Sequence, residues 1–116
     1  MTDLEITKLC AEAMGLDFHV ADIDGGEIWV RCPPMKPPAM YSYRYNPLCN
    51  DAQAMELVRK FQLDISAPLN DGDRWDVSRG DDTRWSGYAA MSSNQDLNRA
   101  ICECVAKMEQ KKREAV

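Results

Sequence analysis

Phe18-His19-Val20-Ala21-Asp22-Ile23 leads into Asp24-Gly25-Gly26 and then into Glu27-Ile28-Trp29-Val30-Arg31. β-branched and aromatic residues on both sides of a glycine-rich turn read as a β-hairpin. The hairpin makes the chain at least partly antiparallel β, and its flanks decide what covers it.

Upstream, Thr2 and Glu5 form a Thr-x-x-Glu capping box. Ile6, Leu9, Cys10, Ala13 and Met14 make an apolar stripe at helical spacing, and Gly15 supplies a left-handed stop. Downstream, Pro33-Pro34-Met35-Lys36-Pro37-Pro38 cannot be a regular helix or a central strand, because proline fixes φ and removes a donor. It reads as a stiff extended connector. Tyr41-Ser42-Tyr43-Arg44-Tyr45 alternates aromatic and polar residues, so it is expected as a third strand with its three tyrosines on one face. That face either covers the core or meets a partner, since tyrosine is enriched in interfaces.

Asn50 and Gln53 signal a second cap, followed by Ala54, Leu57, Val58 and Phe61 as a helical stripe. Asp51 at its start and Arg59 and Lys60 at its end suit the helix dipole. Asp71-Gly72-Asp73 reads as a turn opening a strand over 74–78, and Arg79-Gly80-Asp81-Asp82 as the next turn. A strand near Trp85 to Met91 follows. Ser93 or Ser92 is expected to cap a last helix with the stripe Leu97, Ala100, Ile101, Cys104, Val105 and Met108. The order is α-β-β-(β)-α-β-β-α, an α+β chain with a mostly antiparallel sheet packed between helices as an α/β/α sandwich.

The chain has 116 residues, a size for one domain with one core. Its 19 acidic and 14 basic residues give a net charge of -5, the opposite of the basic excess of a general nucleic-acid binder, though a local basic patch is compatible with it. The five cysteines are an odd number without a secretory segment, so reduced thiols in a cytoplasm are expected. No apolar run is long enough to span a bilayer.

Chemistry-bearing signals are sparse. Cys102 and Cys104 are two apart, and on a helix they point about 200° away from each other, so they do not easily share a zinc ion. His19 is the only histidine and has no nucleophile context in the sequence. The aspartates at 22, 24, 71, 73, 81 and 82 sit in glycine-containing turns, which aspartate favours for local hydrogen-bonding reasons. Neither glycine cluster is a phosphate loop. Trp75, Arg79, Arg84 and Trp85 gather around one expected hairpin, and arginine beside tryptophan can hold anions or stack on bases. No catalytic residue, metal or cofactor is expected.

The stretch Tyr45 to Val58, the opening helix ending Ala13-Met14-Gly15-Leu16, and Asp96-Leu97-Asn98-Arg99-Ala100-Ile101-Cys102 together resemble the phage ABA sandwich domain family. The resemblance covers nearly the whole chain through cap-and-stripe patterns. It implies a small protein of tailed phages or prophages with a sheet between helical layers, and it brings no catalytic residues. Residues 1–116 are then one such domain, with its C-terminal end frayed from about 110 and the Pro33 to Pro38 segment as a local elaboration.

The leading expectation is a non-enzymatic phage accessory protein that binds a host or phage macromolecule, for example to modulate host defence. Met35, Tyr41, Tyr43 and Tyr45 would form its contact surface. A homodimer through an edge strand is compatible with this. The alternative is a small-molecule or nucleotide-signal sponge using Trp75, Arg79, Arg84 and Trp85. A small hydrolase using His19 or the turn aspartates ranks last.

Overall fold

Helix α1 (Asp3–Ala13) begins where the capping box closes: the Glu5 amide donates to Thr2 Oγ1 at 3.2 Å, and the Thr2 amide donates to Glu5 Oε2 at 3.1 Å. The computed structural model describes residues 1–23, 25–32, 41–70, 73–79 and 90–114. Gly15 takes φ +71° and turns the chain into β1 (Phe18–Ala21). β2 (Glu27–Cys32) and β3 (Tyr41–Tyr45) follow, then α2 (Asp51–Phe61), β4 (Asp64–Ser66), β5 (Trp75–Arg79), β6 (Ala90–Asn94) and α3 (Leu97–Glu114).

The described strands form two antiparallel three-stranded sheets, in the orders β1-β2-β3 and β4-β5-β6. In the first, Phe18 pairs with Val30 and His19 with Trp29, so the hairpin has the expected partners. In the second, Asp64 pairs with Ser78, and Ser78 with Met91. With the three helices these sheets make an α+β sandwich. β4 has only three residues and lies where no strand was expected, and β5 sits one residue later than the sequence suggested. Residues 80–89, including most of the strand expected near Trp85, lie outside the described residues.

Helix α3 packs on α1 and α2 and also on β5 and β6. That double burial widens its apolar surface beyond one stripe: Cys102 and Ala106 are buried as fully as Ala100, Ile101, Cys104 and Val105. Cys102 adjoins Cys10 of α1, whose thiol donates to the Cys102 carbonyl at 3.4 Å. Cys104, on another side of the helix, lies beside Arg79 of β5. Ile6, Cys10 and Ala11 of α1, Ile28 and Val30 of β2, and Ala54 and Leu57 of α2 complete the core. Each fully buried isoleucine or leucine here contributes about 1.5–3 kcal/mol relative to an exposed one.

The expected cap of the last helix is corrected. Ser92 and Ser93 do not cap α3, because β6 runs on to Asn94. Asp96 does so instead: its Oδ1 accepts the Asn98 amide at 3.0 Å, and its carbonyl accepts the Ala100 amide at 3.0 Å. Helix α3 continues to Glu114, with Arg113 paired to Glu12 of α1 and to Glu109 on its own helix. At α2, Asn50 accepts the Gln53 amide at 3.0 Å as expected, but Gln53 does not return the bond. Its side chain accepts from the Asn46 amide at 2.7 Å and donates to the Arg44 carbonyl at 3.1 Å, clamping the end of β3 to the helix. Among the described residues, no helix is long and apolar enough to cross a membrane.

Candidate functional site

Alternation along β2 divides the first sheet into two unlike faces. Ile28 and Val30 point into the core, at 1% and 3% exposure, so Trp29 and Arg31 must point away from it. Register adds the neighbours. His19 of β1 and Arg44 of β3 lie either side of Trp29, and Ser42 lies beside Arg31. His19, Arg31, Ser42 and Arg44 are exposed, and Trp29 is half-buried. The outer face thus carries one indole in the middle strand, ringed by two guanidiniums, an imidazole and a hydroxyl.

Glu27 organises one end of this face. Its Oε2 accepts the Trp29 indole N–H at 3.1 Å, which holds the ring in place along the strand. Its Oε1 lies 3.9 Å from Arg44 Nε, a loose and largely solvated ion pair. Arg31 has no ion-pair partner among the described residues. Beside this end opens a cleft of about 260 Å³, with Asp3 and Thr7 of α1 on one wall and Gly26, Glu27, Arg44 and Asn46 on the other. Gly26 fits there at φ +114°, and a Cβ on it would stand 2.7 Å from Leu4 Cδ2. The cleft and the outer face share Glu27 and Arg44.

The sequence-predicted residues fall elsewhere. Tyr43 and Tyr45 pair with Val30 and Ile28 and so share their inward face. Tyr45 is 2% exposed, and burial raises its hydroxyl pKa well above the ordinary tyrosine range. Tyr43 is half-buried and packs against the core. Tyr41 continues the same alternation in the backbone. Met35 lies outside the described residues, as do Arg84 and Trp85. Trp75 and Arg79 flank the buried Val77 on the helix-facing side of β5. Four residues apart on a strand, their Cα atoms are separated by about 13 Å. The two described members of that group are therefore held apart by a core valine.

Cys10, Cys102 and Cys104 are buried and Cys49 is exposed. The Cys10 thiol is held protonated, above its ordinary pKa, by its contact with Cys102 and by burial. Burial raises Cys104 to about 11 despite the nearby cations of Lys107 and Arg79. Among the described residues, no three His, Cys, Asp or Glu side chains cluster to hold a metal ion. His19 faces Trp29 across the strands. A polar chain that the sequence did not suggest joins three elements: Ser92 donates to Glu103 at 2.9 Å, Arg99 donates to Glu103 at 2.9 Å, and Arg99 also reaches Asp3 at 2.6 Å. It fastens β6 and α1 to α3.

Comparison of the chain with the known protein families, the curated proteins and the solved structures finds no match in any of the three.

Proposed function

We propose that this protein acts by binding a macromolecule, without catalysing a reaction, as the accessory role suggested by the resemblance to phage ABA sandwich proteins would require. The outer face of the first sheet is its contact surface. The observation that carries this reading is the cross-strand row His19–Trp29–Arg44 with Arg31 beside it, a concentration of aromatic and cationic groups in a chain of net charge -5. Tryptophan and arginine supply most of the strong anchors in binding surfaces. On this reading the third strand takes part through Ser42 and Arg44 rather than through its tyrosines.

The test is site-specific photocrosslinking in cells that express the protein. A photoreactive residue in place of Ser42 probes the outer face of the first sheet, and one in place of Ser66 probes the outer face of the second. Discrete macromolecular adducts from position 42, with none from position 66, are the expected result. Equal adducts from both positions, or none from 42, refute this surface.

A further inference from the structure

We propose that the outer face of the first sheet takes a short length of single-stranded nucleic acid, one base stacking on Trp29 and the flanking phosphates meeting Arg31 and Arg44. This rests on the reading of that face as the binding surface, and it names the partner.

Size comes first. The three strands span roughly 10 Å across and 14–20 Å along. A stable protein interface needs about 800 Å² from each partner and an apolar centre. This face is several times smaller than that, and Trp29 is its one large apolar side chain. A nucleic-acid base needs only a single ring to stack on, and such stacking is tolerant of sequence. A face of these dimensions suits two or three nucleotides, as on other sheet surfaces that bind RNA.

Spacing and charge agree with it. Arg31 stands two residues from Trp29 along β2, about 7 Å away on the same face. Arg44 stands opposite Trp29 on the neighbouring strand, about 5 Å away. The two guanidiniums therefore lie in different directions from the ring, where the phosphates before and after a stacked base would pass. Arg31 makes no ion pair among the described residues, although Asp17 lies across from it with its carbonyl 2.8 Å from the Arg31 amide, and Arg44 is held by Glu27 only at 3.9 Å. The indole bond to Glu27 at 3.1 Å presets the ring and so reduces the ordering cost of stacking.

The second sheet shows what the same architecture looks like without this chemistry. Its outer face presents Asp64, Ser66, Asp76, Ser78, Met91 and Ser93. These described residues include two carboxylates and no aromatic ring for a base to stack on, and the nearby Arg74 shares its cleft with Asp73 and Asp76. The acidic chain as a whole gives no long-range attraction, so binding depends on short-range contacts at the first sheet. With two phosphate contacts, the logarithm of affinity should fall against the logarithm of salt concentration with a slope of about -1.4.

The test is fluorescence anisotropy of labelled octathymidylate and octauridylate with the full chain at low salt, with a duplex and polyglutamate as comparison ligands. The expected result is binding of a single strand in preference to the duplex, with the shallow salt slope above. Trp29→Ala should weaken it by about tenfold or more, and Trp29→Phe should retain most of it. Arg31→Ala should reduce the magnitude of the slope by about 0.7. Circular dichroism establishes that each variant is folded; if Trp29→Ala is not, Arg31→Ala on the exposed face carries the test. Failure of both oligonucleotides with folded wild-type protein overturns the proposal, as does single-strand binding that neither variant changes. If polyglutamate binds instead and is lost with Trp29→Ala, the face stands and only its partner is wrong. If nothing binds, this partner is withdrawn, and crosslinking from position 42 decides whether the face stands.

Discussion

The two sheets are built alike and finished differently. Each has three short antiparallel strands with one side against the helices. The outer side of the first carries His19, Glu27, Trp29, Arg31 and Arg44; that of the second carries Asp64, Asp76, Met91 and three serines. Packing cannot account for this difference, because neither set of side chains fills the core. A half-buried tryptophan on a solvent face exposes apolar area that folding alone would favour burying. The inner faces differ as well. The first sheet lines the core with Ile28, Val30 and the two tyrosines, whereas the second contributes one fully buried valine and hands much of the packing to α3.

The sharpest way to break the contrast between inside and outside is to substitute neighbours on β2. Ile28→Ala should lower stability by about 2–5 kcal/mol in urea unfolding, from lost transfer energy and the cavity left behind. Trp29→Ala, one residue further on, should cost less than about 1.5 kcal/mol, because its ring is only half-buried. Equal losses would make Trp29 a structural residue and remove the case for a free outer face.

The second sheet's contact with α3 is open to titration. Cys104 is raised from 9.0 to about 11 in the folded protein. The folded state therefore holds the proton more tightly than the unfolded state does. The stability this confers is complete below pH 9.0 and is lost as pH rises through about 11. The loss amounts to at most about 3 kcal/mol. Cys10 and Tyr45, under the first sheet, are raised too and act with the same sign. Urea midpoints under reducing conditions should fall across that range, and Cys104→Ala should flatten the fall without abolishing it. An unchanged slope would show that the thiol is not shielded by the sheet.

Local signals in the sequence were legible and non-local ones were not. The caps at Thr2 and Asn50 and the stop at Gly15 need only residues within one turn, and all three are present. The cap of α3 was misplaced because Ser93, Asn94 and Asp96 are all good capping residues, and only the pairing of β6 with β5 removes the first two. β4 is three residues long, too short for any period to show. That the tyrosines share a face followed from strand parity. Which way the face points depends on their pairing with Ile28 and Val30, which no single stretch of sequence contains. The outer face was missed for the same reason: His19, Trp29 and Arg44 come from three strands and meet only through register. Met35, Arg84 and Trp85 lie outside the described residues.

Where the chain leaves the second sheet, Asp96→Ala should lower stability by about 1 kcal/mol, and Ser93→Ala by less than about 0.5 kcal/mol, measured by the same unfolding. Comparable effects would mean that β6 ends before Ser93 and that the serine caps the helix after all.

The smallest effect concerns the left-handed turns that serve each sheet. The hairpin of the first places glycine at its left-handed positions, Gly25 and Gly26. The approach to the second uses Gln62 at φ +51°, with the Leu63 amide returning to the Val58 carbonyl at 3.1 Å. This is a Schellman-type ending with a side chain where glycine is usual. A left-handed backbone costs an ordinary residue about 1–2 kcal/mol, whereas glycine adopts it freely. Glycine also loosens the unfolded chain, which offsets part of the gain. Gln62→Gly should therefore raise stability by under about 1 kcal/mol, seen as a rise of a few degrees in Tm. Gly26→Ala, the reverse change in the first sheet, should lower it, through its positive φ more than through contact with the movable end of Leu4. Effects of the same sign in the two variants would show that the turns at Gly26 and Gln62 do not differ in strain.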